Sequence, residues 1–407
     1  MSYYDALETR SRDEREVAQF RALEVVLAQV AEAPGLARHL GEFGRVADRA
    51  SLARLPVLRK ADLGAMQKGA PPYGGLTARG VTELRHVFQS PGPIYEPGGG
   101  SRDWWRVGRF LHAVGIGPGD IVQNCFSYHL TPAGMIFENG AEAVGATVLP
   151  AGTGQTELQV QAAHDVESTA YAGTPDYLKV ILDKAAEMGL PLKFAKAAVS
   201  GGALFPSLRA EYRDRGILCL QCYATADLGN VAYESPAMEG MIVDEGVIVE
   251  IVRVGTGDPV PDGEVGEVVV TALNPDYPLI RFATGDLSAV LPGMSPCGRT
   301  NMRIRGWMGR ADQTTKIKGM FVRPEQVAEL AKRHPEAGRI RVIATREGEM
   351  DAMVVKVEAA ERTEAHAEAI AASVQAVMKL RAAVELVPPG SLPNDGKVID
   401  DQRRYGQ

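Results

Sequence analysis

The chain is 407 residues long, 45% hydrophobic and 23% charged, with a formal net charge of −7. That length exceeds what one ordinary core organises, and the balance is that of a folded globular chain rather than a disordered one. The acidic surplus offers no global basic field for nucleic acid or anionic lipid. No apolar run approaches the roughly 20 residues of a membrane helix, and the mixed, acidic N-terminus Met1-Ser-Tyr-Tyr-Asp-Ala-Leu-Glu8 is unlike a secretory signal. A cytoplasmic location is therefore expected.

Residues 1 to about 60 have the polar and apolar spacing of helices, notably Glu16 to Glu32. From 104 to 223, short apolar runs alternate with amphipathic segments. Helices are expected at Trp104–Val114 (with Ser101 or Asp103 as N-cap), Thr131–Val144, Glu157–Asp165, Pro175–Met188 and Pro206–Arg215. Strands are expected at Asp120–Phe126, Thr147–Pro150, Thr169–Ala172, Lys196–Ser200 and Ile217–Cys222. That alternation argues for βαβ units and a mostly parallel sheet. Between about 241 and 292 the texture changes to short β runs, Val247–Val254 and Gly266–Leu273, divided by Gly-Pro-Asp turns. After the dense junction Met302 to Gly309 comes a strand at Thr315–Lys318 and a helix opening at Pro324. Strands near Arg341 and Met353, a helix His366–Leu380 and a strand Val384–Val387 complete a small α+β unit. The expected division is a large domain over 1–311, with a small β-rich subdomain near 241–292, and a C-terminal α+β domain over 312–407.

Cys219 and Cys222 form a C-x-x-C within an apolar strand. Alternation puts the two side chains on opposite faces, and no second pair with zinc-ligand spacing follows, so they read as core cysteines. Asp286 closes the run Tyr277-Pro-Leu-Ile-Arg-Phe-Ala-Thr-Gly-Asp286. A carboxylate at such a turn either closes an Asx turn or accepts hydrogen bonds from a sugar diol. The small residues Ser200-Gly201-Gly202-Ala203 follow a strand and precede a helix; they make either a tight βα turn or a place where backbone approaches a flat ring or a phosphate. Phe126, Tyr128 and His129 follow another strand and fit either core packing or a pocket wall. The Arg-rich run Arg299 to Lys318 suits local phosphate binding or a solvated turn about equally.

Gly309-Arg310-Ala311-Asp312, followed by one α/β unit and then Leu392-Pro-Asn-Asp-Gly-Lys397-Val398, is a far less common layout than any of these motifs alone. It resembles the adenylate-forming superfamily of acyl- and aryl-CoA ligases, amino-acid adenylation domains and luciferases. Asn124-Cys-Phe-Ser-Tyr-His129, Gly145 to Pro150, Gly154 to Val160 and Gly173 to Leu178 narrow the likeness to phenylacetate-CoA ligases, over most of the chain. The resemblance implies an acid–CoA ligase using ATP, Mg²⁺ and coenzyme A, with a mobile C-terminal domain. Asp286 would hold the ATP ribose and Arg310 the ribose–phosphate region. Gly201, Gly202 and Ala203 would flank adenine, with Tyr223 stacked on it beside Ala224 and Thr225. Asp227 would ligate Mg²⁺, and Ala226 lacks the hydroxyl the family places there. Phe126, Tyr128 and His129 would line the acid pocket, and Lys397 would stabilise charge at the reacting carboxylate and α-phosphate. Asp312 would be the hinge whose rotation brings Lys316, Lys318 and Gly319 to the thioester side. The resemblance leaves a homodimer open.

One segment departs from the family pattern. Where a Ser/Gly/Thr-rich loop ending Gly-Lys-Pro would cradle phosphates, this chain has Gln89-Ser90-Pro91-Gly92-Pro93-Ile94-Tyr95-Glu96-Pro97. Ser90 and Gly92 remain, three prolines remove amide donors, and Glu96 replaces the lysine. The leading expectation is carboxylate adenylation followed by thioesterification. The alternative is a ligase-like protein that no longer adenylates from ATP and binds AMP, an acyl-adenylate or an acyl-CoA; transfer to a carrier protein would differ only in the acceptor.

Overall fold

The computed structural model describes all residues except Met1, Gly92, Ala203, Arg310, Asp312, Thr314, Gly319, Gly348, Glu349, Gly396 and 404–407. The chain divides into two compact units. One comprises Met1–Val249, Val270–Phe282 and Leu291–Gly306; the other comprises Glu250–Val269, Ala283–Val290 and Trp307–Gln407. The last piece of the second unit thus begins at Trp307, a few residues before the boundary at 311/312 that the sequence suggests.

The first unit carries the expected parallel sheet. Leu218–Thr225, Lys196–Val199, Ala170–Gly173, Ile121–Asn124 and Thr147–Leu149 lie side by side in that order, each pair parallel. Gly229–Tyr233, Met241–Val243 and Arg303–Ile304 extend the other edge in antiparallel fashion. The intervening helices start where their sequence tells them to: Pro175–Met188 and Pro206–Asp214 both place proline in the first turn, where its missing N–H costs nothing. Leu178, Ile181 and Ala185 face the core at helical spacing and pack with Tyr171, Ala197, Val199 and Cys219. All four cysteines are buried and free, as the core reading of Cys219 and Cys222 requires.

One helix differs from expectation. It runs only Gly108–Val114, because Asp103 and Arg106 have positive φ and break the preceding turn. Trp104 and Trp105 instead bury edge to face, with ring centroids 5.0 Å apart, and Asp103 caps the shortened helix by accepting from the Gly108 N–H at 3.0 Å. At the N-terminus, Ser11 and Glu14 form a reciprocal capping box that starts the helix Arg12–Ala28. Glu8 anchors the preceding turn through a fully buried pair with Arg299 at 2.7 Å and a hydrogen bond from Tyr233 at 2.7 Å.

The β runs expected between 241 and 292 are strands: Val247–Val252, Gly266–Ala272 and Phe282–Ser288 adjoin in sequence order, with Leu58–Arg59 outermost beside the last. In the second unit, Ile340–Glu347 and Met350–Glu358 make an antiparallel hairpin. Ala383–Val387 adds parallel on one side and Ile399–Asp401 parallel on the other. The helices Pro324–Arg333 and Glu364–Met378 cover this sheet through Val327, Leu330, Ile370, Val374 and Met378, against Val342, Val355 and Val357. Each such side chain contributes about 1.5–3 kcal/mol by leaving water. The terminal strand Ile399–Asp401, which sequence periodicity did not mark, fixes the C-terminal side of the Lys397 loop.

Candidate active site

The segment that departs from the family pattern is a β-hairpin. His86–Ser90 pairs antiparallel with Ile94–Gly98, in the register Phe88 to Glu96 and Ser90 to Ile94. No further strand pairs with this two-stranded ribbon among the described residues, so Pro97 is tolerated within it. Ser90 spends both its polar groups on Glu96: its N–H donates to Oε2 at 3.2 Å and its hydroxyl donates to Oε1. In this arrangement neither group is available to a phosphate. Glu96 is completely buried. Burial pushes its carboxyl up to about 7; nearby Asp227 pushes the same way, while the Ser90 hydrogen bonds and Lys60 oppose it.

Asp227 sits in the turn between Leu218–Thr225 and Gly229–Tyr233. Thr225 shapes that turn by accepting the Leu228 N–H on its hydroxyl at 3.1 Å. Only 3% of Asp227 is exposed. Its Oδ2 receives the Lys60 ammonium at 2.6 Å, whereas its buried Oδ1 has no hydrogen-bond partner among the described residues. The hydroxyls of Tyr73 and Tyr277 are likewise buried without a partner. Both phenols are held above their usual range, first by burial and then by neighbouring carboxylates: Glu96 beside Tyr73, Asp227 and Glu96 beside Tyr277. Oδ1 of Asp227 is an orphaned hard oxygen of the kind a magnesium ion takes, while Lys60 already pairs with the other oxygen.

Tyr223 lies on the same strand as Thr225 and is mostly buried, at a register irregularity between Tyr223 and Ala224. Gly201 has φ +71° and an added Cβ there would come within 3.9 Å of the Phe126 ring; Gly202 beside it is exposed. The adenine-side loop and the first aromatic residue of the expected acid pocket are therefore neighbours. Phe126 itself stacks on Phe137 at 4.3 Å and is buried. Tyr128 is half-buried, donates to Glu138 at 2.7 Å and accepts from the Asn124 amide at 2.7 Å. His129 is exposed; its backbone N–H donates to the Ser127 hydroxyl at 3.2 Å and its carbonyl accepts from the Thr131 N–H at 2.8 Å.

The second unit brings three of the remaining motifs together. The Leu287 N–H donates to the Gly309 carbonyl at 2.9 Å, and the Ala311 N–H donates to Gly285 at 2.7 Å. Gly309 and Ala311 thus lie along the strand that carries Asp286. Trp307 donates its indole N–H to Asp286 Oδ1 at 3.1 Å. Gln313 then reaches the C-terminal loop, accepting from the Val398 and Ile399 N–H groups at 2.6 and 2.7 Å. A cavity of about 250 Å³ is bounded by Leu287, Gly309, Gln313, Thr315, Lys397 and Asp400.

Lys397 is itself exposed; its ammonium lies 4.0 Å from Asp400. Its loop is stiffened by Asp395, which accepts the Lys397 N–H at 3.1 Å and pairs with Arg341. Burial raises the Asp395 carboxyl, but the Arg341 guanidinium and the Lys397 amide outweigh this and hold it below its usual range. Lys318, in the hairpin turn between Thr315–Ile317 and Met320–Val322, is exposed with φ +48°, and its N–H donates to Asp351 at 3.0 Å. Gly92, Ala203, Arg310, Asp312, Gly319 and the Lys316 side chain lie outside the described residues. Sequence reasoning overlooked Tyr73, and also Lys60, Trp307 and Gln313, each of which is bonded to a partner well removed in the chain.

Residues 319–403 match a family model described as the AMP-binding enzyme C-terminal domain. Phenylacetate-coenzyme A ligase of Thermus thermophilus is 28% identical, covering 97% of each chain. The enzyme of the same name from Aromatoleum evansii is 31% identical over 76% of this chain and 72% of its own. Among solved structures, a 2-hydroxyisobutyryl-CoA ligase in the postadenylation state superposes with a TM-score of 0.71 at 27% identity, over 97% of this chain and 91% of that one.

Proposed function

Because the chain belongs to the phenylacetate-CoA ligase family, we propose that it activates a small carboxylic acid as its adenylate and passes the acyl group to coenzyme A. The observation that carries this reading is the shared cavity in the second unit. The strand bearing Asp286, Gly309 with Gln313, and the Lys397 loop all converge on it.

In this reading the acid carboxylate attacks the α-phosphorus of ATP, pyrophosphate leaves, and the thiol of coenzyme A then displaces AMP from the mixed anhydride. Asp286 binds the ribose hydroxyls, with its second hydrogen-bonding direction fixed by Trp307. Tyr223 and Gly201 bound the adenine, Arg310 neutralises the phosphate, and Lys397 meets the charge that develops between carboxylate and α-phosphate. Asp227 would hold Mg²⁺, which supplies charge neutralisation at the phosphates. Asp312 is the proposed hinge, and Lys316, Lys318 and Gly319 the CoA side.

The Ser90–Glu96 pairing favours a second reading, in which the chain binds AMP or an acyl-adenylate without using ATP. Pyrophosphate release from ATP, measured across a panel of aryl and short acyl acids, separates the two. Release dependent on one acid supports ligation; silence across the panel together with calorimetric AMP binding supports the binder. In either case Asp286→Asn is expected to weaken AMP binding about 10–100-fold, since a hydrogen bond to a charged acceptor contributes about 1.5–3 kcal/mol. Unchanged AMP affinity in this variant would remove Asp286 from the nucleotide site.

A further inference from the structure

Away from the site just described, the C-terminal unit gathers His334, Glu336 and His366. One donor atom from each lies within 4.8 Å of the other two. We propose that these three side chains form a binding site for a divalent transition-metal ion of the zinc type. Two imidazole nitrogens and one carboxylate oxygen are the donor set such ions prefer, with the remaining coordination position open to water.

Local structure aims the three groups at one point. His334 ends the helix Pro324–Arg333, its N–H donating to Leu330 at 3.1 Å, and Ala337 closes the turn back on the His334 carbonyl at 3.0 Å. That turn carries Glu336. His366 lies in the first turn of Glu364–Met378, held by Thr363, whose hydroxyl accepts the His366 N–H at 3.3 Å. Nδ1 of His334 stands 3.3 Å from Glu336 Oε1, and Nε2 of His366 stands 3.1 Å from the same oxygen. Both separations suit two ligands on one tetrahedral ion as well as a direct hydrogen bond.

The decisive observation concerns the outer nitrogens. His366 Nδ1 lies 3.1 Å from the Glu361 carbonyl. A carbonyl only accepts, so Nδ1 carries the proton. In the neutral ring Nε2 then presents a lone pair to the Glu336 carboxylate, a contact relieved either by a second ring proton or by a metal ion taking that proton's place. His334 has an outer partner too, its Nε2 lying 2.8 Å from the Ser373 hydroxyl, which can accept from that nitrogen or donate to it. Metal-binding histidines usually have such an outer partner, which fixes the ring and leaves the near nitrogen for the ion. Glu336 is exposed, which leaves the open coordination position accessible to water. The bound ion would staple the end of one helix to the start of the other.

The test uses the untagged, full-length chain, stripped with chelator and titrated with Zn²⁺ by calorimetry. The expected result is one equivalent bound with a rise in Tm. Affinity should fall at least about tenfold in both Glu336→Gln and His366→Ala, and about 10–100-fold in Ser373→Ala, the cost typical of a lost outer partner. A tetrahedral visible spectrum with Co²⁺ in the wild type, absent in Glu336→Gln, gives a readout independent of stability. Both ligand substitutions lie at accessible positions, and circular dichroism checks that the variants fold. Absence of binding by the wild type, or zinc affinity unchanged in both ligand variants (an adventitious ion only), would overturn the site. So would a cluster held together by protons alone, seen as wild-type stability that responds to acid but not to metal.

Discussion

Lys397→Ala is expected to slow acid-dependent pyrophosphate release by about 10²–10³-fold, the usual cost of removing one preorganised charge aimed at a developing anion. The substitution is clean because of where the side chain sits. Its ammonium is exposed and its nearest acidic oxygen is 4.0 Å away, so truncation strands no buried partner and stability should change by no more than about 0.5 kcal/mol. The loop keeps its shape through backbone bonds that alanine also makes: the residue 397 N–H to Asp395, and the Val398 and Ile399 N–H groups to Gln313. Thioester formation from a preformed acyl-adenylate should survive, since the charge that Lys397 meets belongs to the first half-reaction. Stopped-flow measurement of the two half-reactions checks this. Equal loss in both, or loss in neither, would sink the assignment of Lys397 to adenylation.

The features that sequence revealed are those written locally. The parallel βα series is legible because proline opens Pro175–Met188 and Pro206–Asp214, and because Leu178, Ile181 and Ala185 repeat at helical spacing. Asp286 and Lys397 were singled out through motif resemblance, and the cavity that Lys397 and the strand of Asp286 border joins segments far apart in sequence. The hairpin His86–Gly98 was hidden by its prolines, which argue against strands except at an unpaired edge. Lys60 gave no signal at all. Its partner Asp227 is 167 positions away, and an ion pair formed by tertiary contact leaves no periodic trace. The tryptophan on Asp286 and the glutamine behind the Lys397 loop were missed for the same reason. The helix Gly108–Val114 was overextended because Trp104 and Trp105 fit a helical pattern that two residues of positive φ interrupt.

Glu96→Gln is expected to stabilise the chain at alkaline pH and to flatten one step in its pH–stability profile. Glu96 is fully buried, and burial, reinforced by Asp227, lifts its carboxyl from 4.5 to about 7 despite the Ser90 hydrogen bonds and Lys60. The sign follows directly. Between these two values the folded chain retains a proton that the unfolded chain releases. The stabilising contribution is therefore complete below pH 4.5 and is lost as pH rises through about 7. At about 1.4 kcal/mol per unit, the loss is about 3 kcal/mol. Glutamine keeps an oxygen that can accept from Ser90 and cannot ionise, so the difference in unfolding free energy between variant and wild type should grow by about 3 kcal/mol from about pH 5 to about pH 8.5. Denaturant unfolding at both pH values measures it, and parallel profiles for the two chains would show that Glu96 is not buried as an acid. The same variant also bears on nucleotide use. A carboxylate about 4 Å from a phosphate opposes it by roughly 4 kcal/mol at an intermediate dielectric. If the hairpin faces the triphosphate, Glu96→Gln should lower the KM for ATP at pH 8.5 and leave AMP affinity untouched. An unchanged KM would mean that the ionised hairpin carboxylate does not oppose the triphosphate.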